Sequence, residues 1–234
     1  MRYLLSRRHL RLIGLTGLLL SCGLLLSACG GGGRDDRPLP PPEPRPNPQP
    51  YPPTYSCSPA GLAASAQSRY TTVCMLTSAG EMVFELYPSY APVTVNNFLK
   101  YVSDGFYSQT LIHHVERNFV FQGGGYTPGM RYKPPTYAPI VSESNNGLAN
   151  LPGTLAMARR GDPNSATSQF FVNTRDNPGL DYQNPGQPGY TVFGRVISGM
   201  GTVEAINQQP VYDYGSGDLR PQTEVLVYWV QRLQ

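Results

Sequence analysis

The fold is decided by residues 112–125, I-H-H-V-E-R-N-F-V-F-Q-G-G-G, and by residues 168–173, S-Q-F-F-V-N. Both stretches are short, rich in β-branched and aromatic residues and bounded by turn formers, which predicts two β-strands. Because side chains two positions apart share one face of a strand, Val120 lies beside Gln122 and Gln169 beside Phe171. Each pair joins an apolar residue to an amide, which suits a small apolar pocket with hydrogen-bonding groups at its rim. A proline ring next to a peptide carbonyl is a ligand that would fit such a pocket.

Two further motifs continue the pattern. They are G-T-L-A-M-A-R at 153–159 and Y-T-V-F-G at 190–194. Together with H-x-V-x-x-x-F-V-F-Q-G-G-G at 113–125 and S-Q-F-F-V at 168–172, they make the chain resemble a cyclophilin-type peptidyl-prolyl isomerase from about Tyr70 to its C-terminus. Q-G-G-G alone would be weak evidence, but four motifs in the family's order are specific. The resemblance implies a closed eight-stranded antiparallel barrel with a helix at each end.

Periodicity in the same region agrees with a mostly β fold. Residues 70–77 and 81–87 alternate apolar and polar side chains about a Ser-Ala-Gly turn, which predicts a hairpin. Residues 91–102 carry apolar side chains at helical spacing on one face. Further strands are expected at 110–116, 118–122, 154–158, 168–173, 190–197 and 224–230, with a helix at 200–207 and a loop at 123–153. Many short strands with two helices indicate a closed antiparallel barrel capped by two helices. Together with the resemblance, which implies eight strands, we expect a mostly β, closed eight-stranded antiparallel barrel.

Composition limits the classes of partner. The chain has 234 residues and a formal net charge of +3, and no dense Lys/Arg run lies outside the extreme N-terminus. This charge is too small to argue for nucleic acid, so no nucleic-acid partner is expected. The counts of 24 prolines and 25 glycines are high, and much of the excess lies in one segment; the remaining length is enough to bury a core without disulfides or metal ions. The domain is expected to be a monomer.

The N-terminus has the pattern of a bacterial lipoprotein signal. Four arginines within residues 1–11 precede an apolar run at 12–26, and this pattern is typical of a secretory signal. The apolar run is shorter than the length that a transmembrane helix usually requires. The sequence Leu26-Ser27-Ala28-Cys29 resembles a lipobox, so residues 1–28 are predicted to be removed and Cys29 to be lipidated. Cys22 is a poorer alternative, and an ordinary signal peptide with incidental cysteines is another.

A lipid anchor would set the location of the protein. Cys29 is followed by Gly30 and not by the aspartate that is associated with inner-membrane retention. We therefore expect attachment to the outer membrane of a bacterial cell envelope, facing the periplasm. A mature diacyl or triacyl group meets the two-chain requirement for stable attachment, and the N-terminal lipid would be the only membrane contact.

Residues 29–55 are predicted to be a tether and residues 56–234 the folded domain. Four glycines at 30–33 favour flexibility, and ten prolines between 38 and 53 favour an extended polyproline II spacer. Two other interpretations are a ligand for SH3-like modules and a proline-rich substrate for the chain's own domain.

Cys57 and Cys74 remain after the signal is removed. In an oxidising compartment an isolated pair of cysteines is expected to be joined, which would pin the start of the domain onto the first strand. Free thiols are the alternative. No further ligands cluster around them in the sequence, so no metal site is expected.

Isomerisation of an X-Pro bond breaks no covalent bond. Resonance in the amide sets a barrier of about 20 kcal/mol, and the enzyme must stabilise a twisted amide whose prolyl nitrogen has regained its lone pair. An apolar slot for the ring, groups that fix the flanking carbonyls and a donor aimed at the nitrogen supply that stabilisation. No metal or redox cofactor is required.

The resemblance assigns residues to these parts. Catalytic roles fall to His114, Gln122 and Phe119. The proline slot would be lined by Phe119, Val120, Phe171 and Leu180, with Tyr190 at its rim. The side chains of Gln122 and Gln169 would hydrogen-bond the substrate backbone. Main-chain groups of Ala158 and Arg159 would hold the residue before proline. For Phe119 and Phe171, ordinary barrel core is the alternative.

His114 departs from the family pattern. The family carries an arginine there, in F-H-R, where this chain has Ile112-His113-His114. Histidine is shorter and mostly neutral at physiological pH, although a neutral imidazole still donates one hydrogen bond. Three hypotheses follow: His114 donates imperfectly and the enzyme is slow, Arg117 or Arg159 restores the donor, or the domain is a proline-peptide-binding or chaperone-like module with little turnover. His113 matches the family's own histidine and is expected to be structural.

Overall fold

A computed structural model describes residues 41–46 and 51–234, so the expected signal peptide, Cys29 and most of the tether lie outside the described residues. Twelve strands follow in chain order: β1 Thr71–Thr77, β2 Gly80–Leu86, β3 Thr110–Glu116, β4 Val120–Gly123, β5 Tyr126–Thr127, β6 Arg131–Tyr132, β7 Thr154–Met157, β8 Phe170–Asn173, β9 Val192–Ser198, β10 Val211–Asp213, β11 Leu219–Pro221 and β12 Val225–Arg232. The helices within the described residues are α1 Pro59–Gln67, α2 Pro92–Ser103 and α3 Met200–Asn207, with a 3-10 turn at Pro178–Leu180. None of the helices in the described part of the chain has the length and apolar character that a membrane crossing requires.

Eight of the strands form a closed barrel in the order β1-β12-β3-β4-β8-β7-β9-β2, and every neighbouring pair is antiparallel. The predicted fold class is therefore confirmed. Two short hairpins, β5–β6 and β10–β11, lie outside the barrel. The first of them occupies part of the stretch that was expected to be loop.

Alternation along each strand separates the barrel interior from its outer face. In β8, Phe170 and Val172 belong to the interior core, while Phe171 belongs to a separate outer cluster. Phe170 packs edge-on against Phe98 of α2, with ring centroids 5.9 Å apart. This period of two fixes which side chains of β8 are available to a ligand.

Helix α2 forms as its apolar pattern predicts. Phe98 is fully buried and its ring lies 5.2 Å from that of Phe193 in the barrel core. Pro92 occupies the first helical turn, where a missing N–H costs little. The carboxylate of Glu143 accepts hydrogen bonds from the backbone N–H groups of Val93 and Thr94, at 3.0 and 2.8 Å. This distant carboxylate replaces a local N-cap and complements the helix dipole.

Helix α1 was not expected from the sequence. Its N-cap is Ser58, whose hydroxyl accepts from the backbone N–H of Gly61 at 3.1 Å, and Pro59 is its first residue. The side chain of Glu81 accepts from both the backbone N–H and the hydroxyl of Ser58, at 2.7 and 2.6 Å. The disulfide between Cys57 and Cys74 is present, and it joins the chain just before α1 to β1.

Strand β3 contains a β-bulge. Ile112 pairs with Gly123 and His114 with Gln122, so the two consecutive residues 113 and 114 face a single step of β4. Ile112 and Val115, three positions apart, both point into the interior core. Because of the extra residue, His113 and His114 both leave the interior, as bulges commonly re-aim side chains.

The start of the described chain lies against the domain. Arg45 forms a parallel bridge with Thr223, and Trp229 Nε1 donates to the carbonyl of Thr54 at 2.8 Å. Gln231 Nε2 donates to the carbonyl of Tyr55 at 3.1 Å. Residues on both sides of 47–50 therefore contact the region between β11 and the end of β12.

Candidate active site

A single row of side chains crosses five strands on the outer face of the barrel. His114 of β3 pairs with Gln122 of β4, and Gln122 pairs with Phe171 of β8. Phe171 pairs with Ala156 of β7, and Ala156 pairs with Val192 of β9. Residues directly opposite each other in antiparallel strands present their side chains on the same face. The row therefore runs from a nitrogen donor through an amide to an apolar patch.

The apolar patch has a buried centre and a partly exposed border. Its centre is formed by Val120, Ala156, Phe171 and Val192, and its border by Phe119, Leu148, Ala158, Leu180 and Tyr190. The predicted slot residues Phe119, Val120, Phe171 and Leu180 are thus brought together, with Tyr190 beside them. None of them belongs to the interior core, which excludes the barrel-core interpretation of Phe119 and Phe171.

Sequence reasoning missed Leu148, Ala156 and Val192. Ala156 had a usable signal, because it lies two positions before Ala158 in the G-T-L-A-M-A-R motif and so shares its face. Val192 had the same signal, because it lies two positions after Tyr190 in the Y-T-V-F-G motif, and it pairs with Ala156 across β7 and β9.

The amides meet beside this patch. Gln122 Nε2 donates to Gln169 Oε1 at 2.7 Å. Gly124, between β4 and β5, has φ +83°, and a Cβ there would lie 2.8 Å from the carbonyl oxygen of Ser168. Only glycine fits that approach, which explains part of the glycine run after Gln122.

Arg159 and Tyr190 form a layered rim. Arg159 Nε donates to the carbonyl of Gly189 at 2.8 Å, and its guanidinium carbon lies 4.6 Å from the centre of the Tyr190 ring. That ring packs edge-on against Phe171, with centroids 5.5 Å apart. These contacts fix the orientation of the aromatic wall of the slot.

An open cleft of about 340 Å³ adjoins the slot. Gln122, Ala158, Arg159 and Gln169 line it, opposite a wall of tyrosines and prolines from residues 132–139. The predicted backbone-binding residues therefore stand between the apolar patch and this cleft.

His114 is half-buried beside Gln122. Burial lowers the pKa of its imidazole from the ordinary value, and the carboxylates of Glu116 and Asp218 oppose that shift. The ring is therefore neutral at neutral pH and offers a single N–H. Asp218 lies in the turn before β11, an element that the sequence did not reveal.

Neither arginine that was considered as a replacement donor is directed to His114. Arg117 donates to the carbonyl of Gln208 at the end of α3, at 3.3 Å. Arg159 is held by Gly189 and by the carbonyl of Arg160, at 2.8 Å each. In these arrangements the donor next to Gln122 is His114 itself.

His113 is enclosed. It is 7% exposed, and its ring centroid lies 4.6 Å from that of Tyr126 in β5. Its Nδ1 is buried without a hydrogen-bond partner. Burial, reinforced by His114, lowers the pKa of His113 to about 4. The position suits a structural role, as the resemblance implies.

The low pKa of His113 predicts acid sensitivity. The folded state takes up this proton near pH 4 and the unfolded chain near 6.5, so stability is full above pH 6.5 and falls as the pH falls toward 4. The expected loss in unfolding free energy is about 2 kcal/mol between pH 7 and pH 5. Urea unfolding at the two pH values measures it. The variant His113→Phe keeps the contact with Tyr126 and should lose most of this difference; an unchanged difference would contradict the assignment.

One group of potential metal ligands lies within the described part of the chain. The atoms of Cys57, Cys74 and Glu81 lie within 4.8 Å of one another. Both sulfurs are joined in the disulfide and are not thiolates, so this group does not have the character of a zinc site.

The chain is similar in sequence to known isomerases. The family model described as cyclophilin type peptidyl-prolyl cis-trans isomerase/CLD matches residues 72–231. A peptidyl-prolyl cis-trans isomerase of Acinetobacter baylyi is 45% identical over 172 residues, covering 73% of this chain and 90% of that protein. Peptidyl-prolyl cis-trans isomerase B of Escherichia coli is 42% identical over 153 residues, covering 64% of this chain and 93% of that protein.

Solved structures show the same barrel. A cyclophilin type peptidyl-prolyl cis-trans isomerase of Cryptosporidium parvum superposes with a TM-score of 0.58 at 26% identity, covering 70% of this chain and 98% of that one. The same protein solved in the presence of the dipeptide Ala-Pro gives a TM-score of 0.57 at 25% identity, covering 70% and 99%. With the family model spanning the barrel and relatives above 40% identity, the chain belongs to the cyclophilin-type peptidyl-prolyl cis-trans isomerase family.

Proposed function

We propose that this chain isomerises X-Pro bonds in exported proteins, with the proline ring in the apolar patch and His114 as the donor to the prolyl nitrogen. The observation that carries this proposal is the row from His114 through Gln122 to Phe171. It aligns a donor, an amide and an apolar surface in the order that a peptide with a central proline requires.

The apolar patch would hold the ring against Phe171 and Val120. Gripping the ring leaves the preceding carbonyl free to rotate. The linked amides of Gln122 and Gln169 would bind the substrate backbone, so that rotation is confined to one bond. Binding both planar isomers equally would not increase the rate, so selectivity for the twisted amide must come from the donor.

His114 would supply that donor. When the amide twists, the prolyl nitrogen becomes an acceptor, and only then does the imidazole N–H gain a hydrogen bond. A neutral donor is worth less than a guanidinium by roughly 1 kcal/mol. We therefore expect catalysis above the spontaneous rate but below that of an arginine-bearing site.

The test compares isomerisation of an Ala-Pro peptide by the native chain and by His114→Arg. At pH 7 the variant should be about fivefold to tenfold faster in kcat/KM. Because burial lowers the pKa of His114 from its ordinary value, the native rate should rise as the pH is lowered into the acidic range where the imidazolium forms, while the rate of the variant stays flat. His114→Gln, a donor that does not titrate, is the matched control. A native rate equal to or above that of His114→Arg at pH 7 would contradict this role.

A proline-peptide-binding module with little turnover is the second candidate function. It is favoured by the half-buried, neutral His114, which lacks the reach and fixed charge of arginine. In that case the native chain would bind the peptide without accelerating exchange, and His114→Arg would gain activity at unchanged affinity.

We also propose that Cys29 carries the lipid that attaches the domain to the cell envelope, outer membrane facing the periplasm. The lipobox-like Leu26-Ser27-Ala28-Cys29 and the following Gly30 support this location. Mass spectrometry of the purified chain should find an acylated N-terminal Cys29, and Cys29→Ser should move the protein to the soluble fraction.

A further inference from the structure

Residues 42–45 lie against the connection between β11 and β12, and Arg45 pairs with it as an isolated parallel bridge. The backbone N–H of Arg45 donates to the carbonyl of Gln222 at 3.0 Å, and the N–H of Glu224 donates to the carbonyl of Arg45 at 2.9 Å. Both bonds flank Thr223 in parallel register. Two main-chain hydrogen bonds of this kind are the usual basis for adding an extended peptide to a sheet edge.

Side chains of the hairpin β10–β11 complete the contact. The hydroxyl of Tyr214 donates to the carbonyl of Pro42, and Arg220 pairs with the carboxylate of Glu43 at 3.3 Å. Asp218 holds Arg220 at 2.7 Å, and the ring of Tyr214 lies 4.2 Å below the guanidinium carbon. The cation that meets Glu43 is therefore positioned before the segment binds.

The prolines contribute in two ways. Pro44 is buried in this contact, whereas its neighbours Glu43 and Arg45 are exposed. A proline-rich segment is already extended in solution, so little conformational entropy is lost when it docks. The surface thus combines backbone bonds, one buried proline and one charge-specific pair.

We propose that the surface formed by hairpin β10–β11 and residues 222–224 is a second peptide-binding site, which accepts an extended, proline-rich segment with an acidic residue between prolines. In this structure it holds residues 42–45, Pro-Glu-Pro-Arg, of the chain's own N-terminal segment.

This second site is distinct from the proline slot. The residues that hold the segment are Tyr214, Arg220, Gln222 and Glu224, and none of them belongs to the row or to the apolar patch. A carboxylate recognised by an arginine is also unrelated to the slot's selection of a proline ring by apolar contact. Strand β11 packs against β3, so the two sites are neighbours.

The covalent link between the segment and the domain sets the affinity that this site needs in order to be occupied. A short linker gives the segment an effective concentration in the millimolar range, and docking within one molecule requires a dissociation constant below that value. A free peptide of the same sequence should therefore bind with a Kd below about 1 mM once the chain's own segment is displaced.

The first experiment measures hydrogen exchange in the full chain in detergent. Glu43→Lys should speed exchange at the amides of Arg45 and Glu224 by about twofold to fivefold, as expected for one exposed ion pair. Asp36→Lys makes the same charge change upstream of the docked residues and should have no effect. Protection should be independent of protein concentration. Protection that rises with concentration, or equal effects of both substitutions, would overturn docking within one chain.

The second experiment measures binding in trans by fluorescence anisotropy. The labelled peptide P-P-P-E-P-R-P, residues 40–46, is added to the full chain in which residues 42–45 are replaced by Gly-Ser-Gly-Ser, and P-P-P-K-P-R-P serves as the control peptide. We expect saturable binding of the first peptide, and binding of the control peptide that is about twofold to fivefold weaker. Adding Tyr214→Phe or Arg220→Gln should weaken binding of the first peptide at least threefold, whereas adding Phe171→Ala should not.

Because the peptide contains prolines, it could also bind in the proline slot. The Phe171→Ala and Arg220→Gln substitutions distinguish binding in the slot from binding at the second site. Binding that is lost with Phe171→Ala but kept with Arg220→Gln would place the peptide in the slot and overturn the proposal. Absence of binding at 1 mM would overturn it as well. Neither outcome depends on isomerase activity, so failure of the proposed function would leave this test intact. Thermal melting followed by circular dichroism confirms that each variant is folded.

Discussion

Phe171→Ala is expected to lower kcat/KM for an Ala-Pro peptide about a hundredfold. The ring of Phe171 is 4% exposed at the centre of the apolar patch and packs against Tyr190, so its removal would deform the slot that holds the proline ring. We expect this to cost about 2.5 kcal/mol of transition-state binding, and each 1.36 kcal/mol is a factor of ten in rate. The measurement is the isomerisation rate at substrate concentrations below KM.

The adjacent Phe170 provides a matched control. Its ring is fully buried on the opposite face of β8, inside the barrel. Phe170→Ala should therefore reduce the unfolding free energy by about 3–5 kcal/mol. Below its melting temperature, that variant should retain most of its activity per folded molecule. Phe171→Ala should differ in its activity per folded molecule, which should fall strongly, while its stability should also fall because its ring is only 4% exposed.

Phe171→Leu separates volume from the aromatic ring. It keeps an apolar side chain in the slot but loses the edge-on contact with Tyr190, so a decrease of no more than about tenfold is expected. If Phe171→Ala and Phe170→Ala reduced activity equally, the assignment of the slot to the outer face would be wrong.

Removal of the disulfide is the second large effect. The bond joins residues 17 positions apart, and closing a loop of that length in the unfolded chain is worth about 3 kcal/mol. The double variant Cys57→Ala, Cys74→Ala should melt about 6–12 °C lower. Isomerase activity at 25 °C should not change, because neither cysteine belongs to the strands of the row.

Thiol titration provides the independent measurement. The folded native chain, after removal of the signal sequence, should show no reactive thiol from Cys57 or Cys74 before reduction and two after it. Two reactive thiols before reduction, or an unchanged melting temperature in the double variant, would contradict a stabilising bond.

Much of the barrel could be predicted because its strands carry local patterns. Strands β1, β2 and β3 alternate or cluster apolar side chains within one or two residues of the observed bounds, and α3 has the expected bounds. Strand β4 starts two residues later than expected. Asn118 adopts φ 55° in the preceding turn, and this left-handed conformation ends the pairing.

Helix α1 and the two short hairpins, which were not predicted, lack a periodic pattern of apolar residues. Helix α1 buries only Gly61 and Ser65, so it has no apolar face for periodicity to detect. Its signal was the pair Ser58-Pro59, an N-cap followed by a first-turn proline. The hairpins β5–β6 and β10–β11 have two or three residues per strand and are too short for an alternation argument.

The sequence predicted which residues form the site, but it did not predict how all of their side chains are arranged relative to one another. Val120 and Gln122 could be placed on one face from strand period alone, as could Gln169 and Phe171. The position of His114 beside Gln122 depends on the bulge in β3, which no local pattern indicates. The proximity of Asp218 depends on the packing of β11 against β3, a tertiary contact between segments about a hundred residues apart.

The disulfide also determines how mechanical load enters the domain. A pull on the N-terminal segment passes from Cys57 through the sulfur bridge to Cys74, and from there into the middle of β1. Residues 58–73, including all of α1, lie in the bypassed loop and carry no tension. Force is then resisted by the hydrogen bonds of β1 to both of its neighbours, β2 and β12. Reduction of the bridge would redirect the same pull through α1, a nine-residue helix with few buried side chains.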